Sequence, residues 1–373
     1  MATMGIACGG TGGHLFPGLA VAQELMNSGH EVRLYVSMKK IDQLALENYP
    51  ELQTVPLSTI GFPGLSIKLF DFIWKFYRSY KKCCNEIKNQ RIEVVLGMGG
   101  FSCAPLLLAA SSCKVPAYLH ESNAYPGKVT RLLAKLVRKV FIGMETCAKH
   151  LPHGTTLFVG TPIRKQLKRI QATEARKILG LSENKLTVGI VGGSQGAQGL
   201  NHMVVKALSH LQSHKDNWQF LHISGPGNDA LVSMNYRKSA FDAVVNDFCQ
   251  NMGTFYSACD VVVSRSGAAS MAELSYYAKP SILIPYPYAS ENHQMWNAKV
   301  FREKNAAEII EESESAYLKL VTVLEKILSD RILHKKMCRN VQEFTFHKSP
   351  EKQMAKELIA NCSEVEIKEV ASP

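Results

Sequence analysis

Short apolar runs alternate along the chain with longer stretches in which apolar residues recur at helical spacing. The runs are Gly5–Cys8, Val32–Val36, Val94–Leu96, Ala117–Leu119 and Val140–Ile142, then Thr187–Val191, Phe220–Ile223, Val261–Val263 and Ser281–Ile284. Nearly continuous apolar strands separated by amphipathic helices are the pattern of βαβ units, whose parallel sheets are covered on both faces. The series breaks near Gly160-Thr161-Pro162-Ile163-Arg164, where a polar helical segment precedes the next strand. The pattern predicts an α/β protein of two doubly wound, Rossmann-like domains, residues 1–163 and 164–344, with a cleft expected between them. A last helix, over about residues 345–363, is expected to return to the first domain. A length of 373 residues fits this division, because it exceeds what one hydrophobic core usually serves.

Both halves carry the same device. Gly9-Gly10-Thr11-Gly12-Gly13-His14 and Gly192-Gly193-Ser194-Gln195-Gly196-Ala197 each follow the first strand of their series and open a helix. Such a turn lets backbone amides approach a phosphate at the positive end of the helix. A tight turn that needs positive φ explains the same residues without a ligand. The repeated position favours function. Neither turn is a dinucleotide fingerprint: Leu15 stands where the third glycine belongs, and Ser37-Met38-Lys39-Lys40 at the end of the second strand lacks an acidic residue for a ribose. No Gly-Lys-Ser/Thr follows either turn, which excludes a P-loop.

Composition narrows the class. Hydrophobic residues at 46% and charged residues at 20% describe a globular chain. A net charge of +11 implies an acidic partner: nucleic acid, an anionic membrane or a phosphorylated substrate. The excess lies toward the first half, with 17 Lys and Arg against 10 Asp and Glu before residue 164, and 26 against 22 from there on. There, Leu65–Lys82 interleaves aliphatic and aromatic side chains with five cations, as an interfacial helix on anionic lipid does, although its second half fits core packing equally. Lys128, Arg131, Lys135, Arg138 and Lys139 are expected to lie on a second basic helix. No recognised nucleic-acid motif is present, so nucleic acid is not expected as a partner. The absence of a long apolar run or a signal-like N-terminus predicts a cytoplasmic chain that does not span a membrane. Ten cysteines without zinc-site spacing are expected to be reduced thiols. No Asp-x-Asp motif occurs, and neither a metal nor a cofactor is expected.

Seven segments taken together resemble the MurG family of glycosyltransferases: GGTGGHLFP (Gly9–Pro17), GMGGF (Gly97–Phe101), HESNAYPG (His120–Gly127), GTPIR (Gly160–Arg164), GGSQGA (Gly192–Ala197), SRSGAASMAE (Ser264–Glu273) and HQMWNA (His293–Ala298). They run in order from about residue 5 to 310. The resemblance implies the GT-B fold, with a lipid acceptor on the first domain and a nucleotide sugar on the second. It further implies an inverting enzyme that moves GlcNAc from UDP-GlcNAc to undecaprenyl-pyrophosphoryl-MurNAc-pentapeptide in peptidoglycan synthesis, as a peripheral protein on the cytoplasmic face of the bacterial inner membrane. Cell shape and division depend on that reaction. Enzymes that share the donor half, with a diacylglycerol acceptor or with epimerase activity on UDP-GlcNAc, are the alternatives, and a basic membrane- or nucleic-acid-binding protein is the non-enzymatic one.

Site residues follow from the resemblance by position. Thr11, Gly12 and Gly13 belong to the acceptor-side turn. Ser194 and the helix behind it are expected at the diphosphate, and Ala268, Ala269 and Ser270 line the nucleotide site with backbone. Glu273 is expected to accept hydrogen bonds from the ribose hydroxyls, a task suited to a carboxylate; alone it would be a surface glutamate. Uracil is expected against Phe248–Met252, with contacts at Cys249 and Met252. Cys249 departs from the family's usual isoleucine. Gln294 is expected at the sugar; His293 replaces a family glutamine, which leaves its role open. Arg164 is placed to offset the charge of the departing phosphate, or else to form a linker salt bridge. Glu121 and Asn123 are expected to face the cleft from the acceptor side, although Glu121 could equally orient His120 or a loop amide. His14 is the candidate general base, with hydrogen bonding to the acceptor diphosphate or a plain helical histidine as alternatives.

Overall fold

A computed structural model describes residues 1–10, 12–39, 42–43, 46–47, 49–58, 68–193, 196–344 and 349–370, with Lys68 and residues 363–370 described by backbone alone. The chain forms two compact units, Met1–Arg164 with Phe346–Pro373, and Lys165–Thr345.

Among the described residues the first unit holds seven strands: β1 (Thr3–Ala7), β2 (Glu31–Ser37), β3 (Gln53–Leu57), β4 (Ile92–Gly97), β5 (Ala117–Glu121), β6 (Lys139–Ile142) and β7 (Thr156–Phe158). All pair in parallel, in the order β3-β2-β1-β4-β5-β6-β7. Six strands build the second unit: β8 (Leu186–Val191), β9 (Trp218–Ile223), β10 (Ala243–Asn246), β11 (Val261–Ser264), β12 (Ser281–Leu283) and β13 (Ala307–Ile309). They too are parallel, in the order β10-β9-β8-β11-β12-β13. This is the α/β architecture that the apolar runs predict. Four strands go beyond those runs, β3, β7, β10 and β13, and each is the edge of its sheet.

Each sheet is packed on both faces. In the first unit, Leu15, Leu19 and Leu25 of the helix Gly12–Asn27, with Met354 and Leu358 of the helix Pro350–Val370, bury against Ile6, Leu34 and Leu96. On the opposite face, Ile87 of the helix Lys68–Asn89 and Leu106 and Leu107 of the helix Ala104–Ser112 cover Val95 and Leu119. The second unit repeats the scheme, with Leu200, Val204, Leu320 and Ile327 against Val188, Phe220 and Val263. A fully buried Leu or Ile stabilises by roughly 2 kcal/mol, so these contacts fix the strands on which the loops stand. The ten cysteines are free thiols. Among the described residues, no helix is long and apolar enough to cross a membrane.

Strand order reverses between β1 and β4 in the first sheet and between β8 and β11 in the second. At such a switch point the loops leave the carboxyl ends of adjacent strands in opposite directions and open a crevice for ligands. Glycine-containing turns follow these four strands.

Candidate active-site residues

In the first unit, the turn after β1 takes two positive φ angles, +132° at Gly9 and +86° at Gly10, before the helix begins at Gly12. Its peptide groups are held by side chains from the segments that follow both flanking strands. The Gly10 amide donates to Asp42 Oδ2 at 2.6 Å, Lys39 Nζ donates to the Gly10 carbonyl at 2.8 Å, and Ser102 Oγ donates to the Gly9 carbonyl at 3.0 Å. Gly13 stands in the first turn of the helix, and Thr11 lies outside the described residues.

His14 follows immediately, and its ring lies over the turn after β4. A Cβ at Gly100 would stand 2.9 Å from Cε1 of His14, and one at Gly99 would stand 3.5 Å from Nε2. Both glycines have positive φ, +90° at Gly99 and +70° at Gly100. The GMGGF segment thus clears the space that His14 occupies.

Glu121 ends β5 with 4% exposure. Its Oε1 accepts from the amide and Nδ2 of Asn123, at 3.0 and 2.8 Å, and its Oε2 accepts from the Gly127 amide at 3.1 Å and Thr130 Oγ1 at 2.6 Å. Four donors occupy the carboxylate. The geometry agrees with the alternative that Glu121 orients loop amides and leaves no free carboxylate oxygen directed at a substrate; Asn123, on the loop that it anchors, is partly exposed. His120 is fully buried and bonded through Nε2 to the Gly160 carbonyl at 2.9 Å. Burial lowers its pKa to about 4, against the opposing pull of that hydrogen bond and of Glu121, so the ring is neutral. Arg164, the last residue of the unit's main segment, places its guanidinium 4.5 Å from the ring centroid of Phe16 on the first helix.

The long helix Lys68–Asn89 has two characters. Phe72 and Phe76 turn inward onto Phe101, with centroids at 5.0 and 5.5 Å. Phe70 (79% exposed), Ile73, Trp74 and Tyr77 face solvent, with Arg78 over Trp74 and Lys81 over Tyr77. Leu65, Ser66 and Ile67 of the predicted interfacial segment lie outside the described residues. Leu132, on the helix Lys128–Leu133, is 74% exposed.

In the second unit, the turn after β8 has φ of +93° at Gly193 and +74° at Gly196, and leads into the helix Gln198–Ala207. A Cβ at Gly196 would stand 2.8 Å from Gly225 Cα, so only glycine lets this turn lie against the loop after β9. Ser194 lies outside the described residues. After β11, Gly267 caps the helix Ala268–Tyr276 with extended backbone and no side-chain hydrogen bond. Ala268, Ala269 and Ser270 form its partly exposed first turn, where amides carry the positive end of the helix dipole.

Glu273, one turn on, accepts from the hydroxyl of Tyr256 at 2.9 Å. Tyr256 belongs to the helix Met252–Ala258, which Asn251 caps through the Thr254 amide at 3.1 Å. Met252 is buried as its first residue, and Cys249 lies half-buried just before it. The segments expected at uracil and at ribose are therefore joined by one hydrogen bond.

Gln294 connects the other side of this site. Its Oε1 accepts from the Tyr286 amide at 2.9 Å, and its carbonyl accepts from Ser266 Oγ at 2.8 Å. Asn297 Nδ2 donates to the Ser266 carbonyl at 3.0 Å. His293 is half-buried at the start of the same helix, with Nδ1 bonded to the Ser290 carbonyl at 2.8 Å. Two left-handed non-glycine residues precede it, Glu291 at φ 51° and Asn292 at φ 54°. Such strain persists where surrounding structure fixes it, commonly at binding sites. Arg265 pairs with Glu312 at 2.5 Å and donates to the Ile284 and Pro285 carbonyls. Sequence reasoning passed over Asp42, Tyr256 and the Glu291-Asn292 pair, which belong to no motif. Among the described residues, no group of three or more His, Cys, Asp or Glu is arranged to hold a metal.

Residues 4–142 match the glycosyltransferase family 28 N-terminal domain and residues 187–358 the C-terminal domain of that family. A Desulforamulus reducens protein named UDP-N-acetylglucosamine–N-acetylmuramyl-(pentapeptide) pyrophosphoryl-undecaprenol N-acetylglucosamine transferase is 32% identical, with 91% of this chain and 93% of the relative covered. A protein of the same name from Thermodesulfovibrio yellowstonii is 36% identical over 89% and 91%. The crystal structure of Acinetobacter baumannii MurG superposes with a TM-score of 0.75 at 22% identity, covering 96% of this chain and 99% of that one.

Proposed function

The chain belongs to the MurG family within glycosyltransferase family 28, and from this we propose that it transfers GlcNAc from UDP-GlcNAc to a muramyl-pentapeptide carried on pyrophosphoryl-undecaprenol. The observation that carries the reading is that the identity spans both units. A shared donor half alone would leave the acceptor open and admit an epimerase or a transferase with another lipid; a match to the family's N-terminal domain as well supports the muramyl acceptor.

The second unit takes the donor. The uncapped first turn at Ala268, Ala269 and Ser270 offers amides and a positive dipole to the diphosphate, together with Ser194 and the helix that follows it. Glu273, steadied by Tyr256, accepts from the ribose hydroxyls. Cys249 and Met252 flank the uracil, and Gln294, whose oxygen is committed to Tyr286, directs its amide N–H groups to the sugar.

The first unit takes the acceptor. A hydroxyl of the muramyl sugar attacks the anomeric carbon while UDP departs from the opposite face, which inverts configuration. His14 receives the hydroxyl proton, an imidazole titrating near neutrality being matched to that task. Asn123, presented by the Glu121-anchored loop, and the Thr11–Gly13 turn contact the acceptor. Arg164 contributes the fixed cation that charge building on a departing diphosphate requires. The helix dipole and this cation supply the positive potential, and no resident metal is invoked.

The solvent-facing aromatic row Phe70, Ile73, Trp74 and Tyr77, with its overlying cations, supports peripheral attachment to an anionic bilayer at the cytoplasmic face, where a lipid-linked acceptor is found. Nucleic acid is not proposed as a partner.

The test is turnover of labelled UDP-GlcNAc with a lipid-linked muramyl-pentapeptide analogue. Labelled disaccharide product is expected from the parent, and loss of turnover with retained UDP binding from His14→Ala. No affinity for UDP, or salt-steep binding to DNA in its place, would remove the reading.

A further inference from the structure

Asp42 is a fully buried carboxylate that no motif contains, and burial of such a group is costly unless hydrogen bonds offset it. Its Oδ2 accepts from the Gly10 amide at 2.6 Å and from the hydroxyl of Ser37. A Cβ at Gly9 would stand 2.9 Å from the same oxygen, so the carboxylate fits the turn only because Gly9 has no side chain. The other two bonds to the turn come from Lys39, on the same side, and from Ser102, on the far side.

The sheet explains this arrangement. β2 and β4 flank β1, and the segments leaving their carboxyl ends bring Asp42 and Lys39 from one direction and Ser102 from the other. Between them lie two consecutive positive-φ glycines, a peptide with little conformational preference of its own. The point at which the helix Gly12–Asn27 begins is set by that peptide, and His14 is the helix's third residue. The carboxylate also takes the Gly10 amide that an anion cradle would offer to a phosphate, and its charge repels one. This side of the turn is therefore built to be held still.

We propose that Asp42 is a positioning residue for glycosyl transfer: with Ser102 opposite, it clamps the Gly9-Gly10 peptide and so fixes where His14 stands. The inference rests on the transferase reading above.

The experiment compares full-length parent, Asp42→Ala, Asp42→Asn and Ser102→Ala for kcat, for KM of donor and acceptor, for UDP affinity and for hydrogen exchange at the Gly10 amide. Asp42→Ala is expected to lose about 100-fold in kcat, the scale on which a small displacement of a reacting group acts, with UDP affinity within twofold of the parent. Asp42→Asn, which keeps an acceptor for the Gly10 amide, is expected to regain at least tenfold of that loss. The Gly10 amide should exchange faster in the alanine variant. Folded Asp42→Ala with parental kcat overturns the proposal, as does equal damage to kcat and UDP affinity, the mark of general destabilisation. Should Asp42→Ala not fold, Ser102→Ala decides: about a fivefold fall in kcat at unchanged UDP affinity supports the clamp, and parental kcat ends it. A parent with no transfer activity sinks the functional reading and this inference together; an active parent with unaffected variants sinks the inference alone.

Discussion

The hydroxyl of Tyr256 donates a 2.9 Å hydrogen bond to Glu273, which joins the helix behind the loop proposed for uracil to the helix whose first turn is proposed for the diphosphate. A carboxylate proposed to accept from ribose is thereby fixed in direction without a nucleotide. Tyr256→Phe keeps the ring, stacked on Tyr277 with centroids 5.2 Å apart, and removes only the donor. Hydrogen bonds to charged groups contribute about 1.5–3 kcal/mol, part of which appears here as ordering of Glu273. The expected result is a donor KM raised about 3- to 10-fold with kcat within twofold, and a larger rise for Glu273→Ala; steady-state titration of UDP-GlcNAc checks it.

Glu121 is expected to behave differently. Its carboxylate serves four donors, so Glu121→Gln turns one acceptor oxygen into an NH2 group that confronts either the Asn123 or the Gly127 amide. A buried donor left facing a donor costs about 1–3 kcal/mol. Both thermal stability and acceptor KM should suffer, whereas UDP affinity, assigned to the other unit, should not. Calorimetry paired with UDP titration separates the two; a stable variant with normal acceptor KM would remove Glu121 from its positioning role.

His120 gives the fold a pH dependence of definite sign. In the unfolded chain the imidazole takes a proton below about pH 6.5, whereas in the folded chain burial delays this to about pH 4. Between these values the unfolded state binds more protons, so stability is full above pH 6.5 and falls as pH is lowered toward 4. His222, lowered to about 3 by burial in the second unit, adds a loss of the same sign. The two together should cost several kcal/mol by pH 4. Denaturant unfolding at pH 7 and pH 5 is expected to show a clear drop, smaller in His120→Asn. A flat profile over that interval would contradict the buried neutral assignment.

The fold was legible in the strand interiors and not at the sheet edges. Central strands such as β4 and β11 are buried on both faces and appear as unbroken Val and Leu runs. β3 and β10 are half-exposed and carry polar residues, β3 includes Pro56, and β13 has only three residues, so none of the three rises above its surroundings. The site divides along a similar line. Glycines with positive φ announce themselves, because few other residues tolerate that backbone. Asp42 and Tyr256 act through contacts 32 and 17 residues away in sequence, which no local pattern records. Glu121 shows the opposite difficulty. Its place in a loop motif suggested a group facing substrate, and only the positions of Gly127 and Thr130 reveal that the carboxylate is occupied.

Gly100 allows the placement of His14 to be tested without altering the imidazole. Its backbone, at φ 70° and ψ 175°, is one that essentially only glycine adopts, so alanine costs about 1–3 kcal/mol there, and a Cβ would meet Cε1 of His14 at 2.9 Å, closer than such atoms come without a shift. Gly154 provides the control: its φ is +77° and a Cβ there would meet nothing within 4 Å. Both Gly100→Ala and Gly154→Ala should therefore lose stability from the backbone, so kcat is compared on the folded fraction of each. Only Gly100→Ala displaces the ring, and its kcat is expected to fall about 100-fold, the scale associated with misplacing a catalytic group by about 1 Å. UDP affinity should be parental in both, because the residues proposed for the donor belong to the second unit. Equal kcat in the two alanine variants would mean that the His14 ring can move aside without consequence, and the general-base assignment would fall with it.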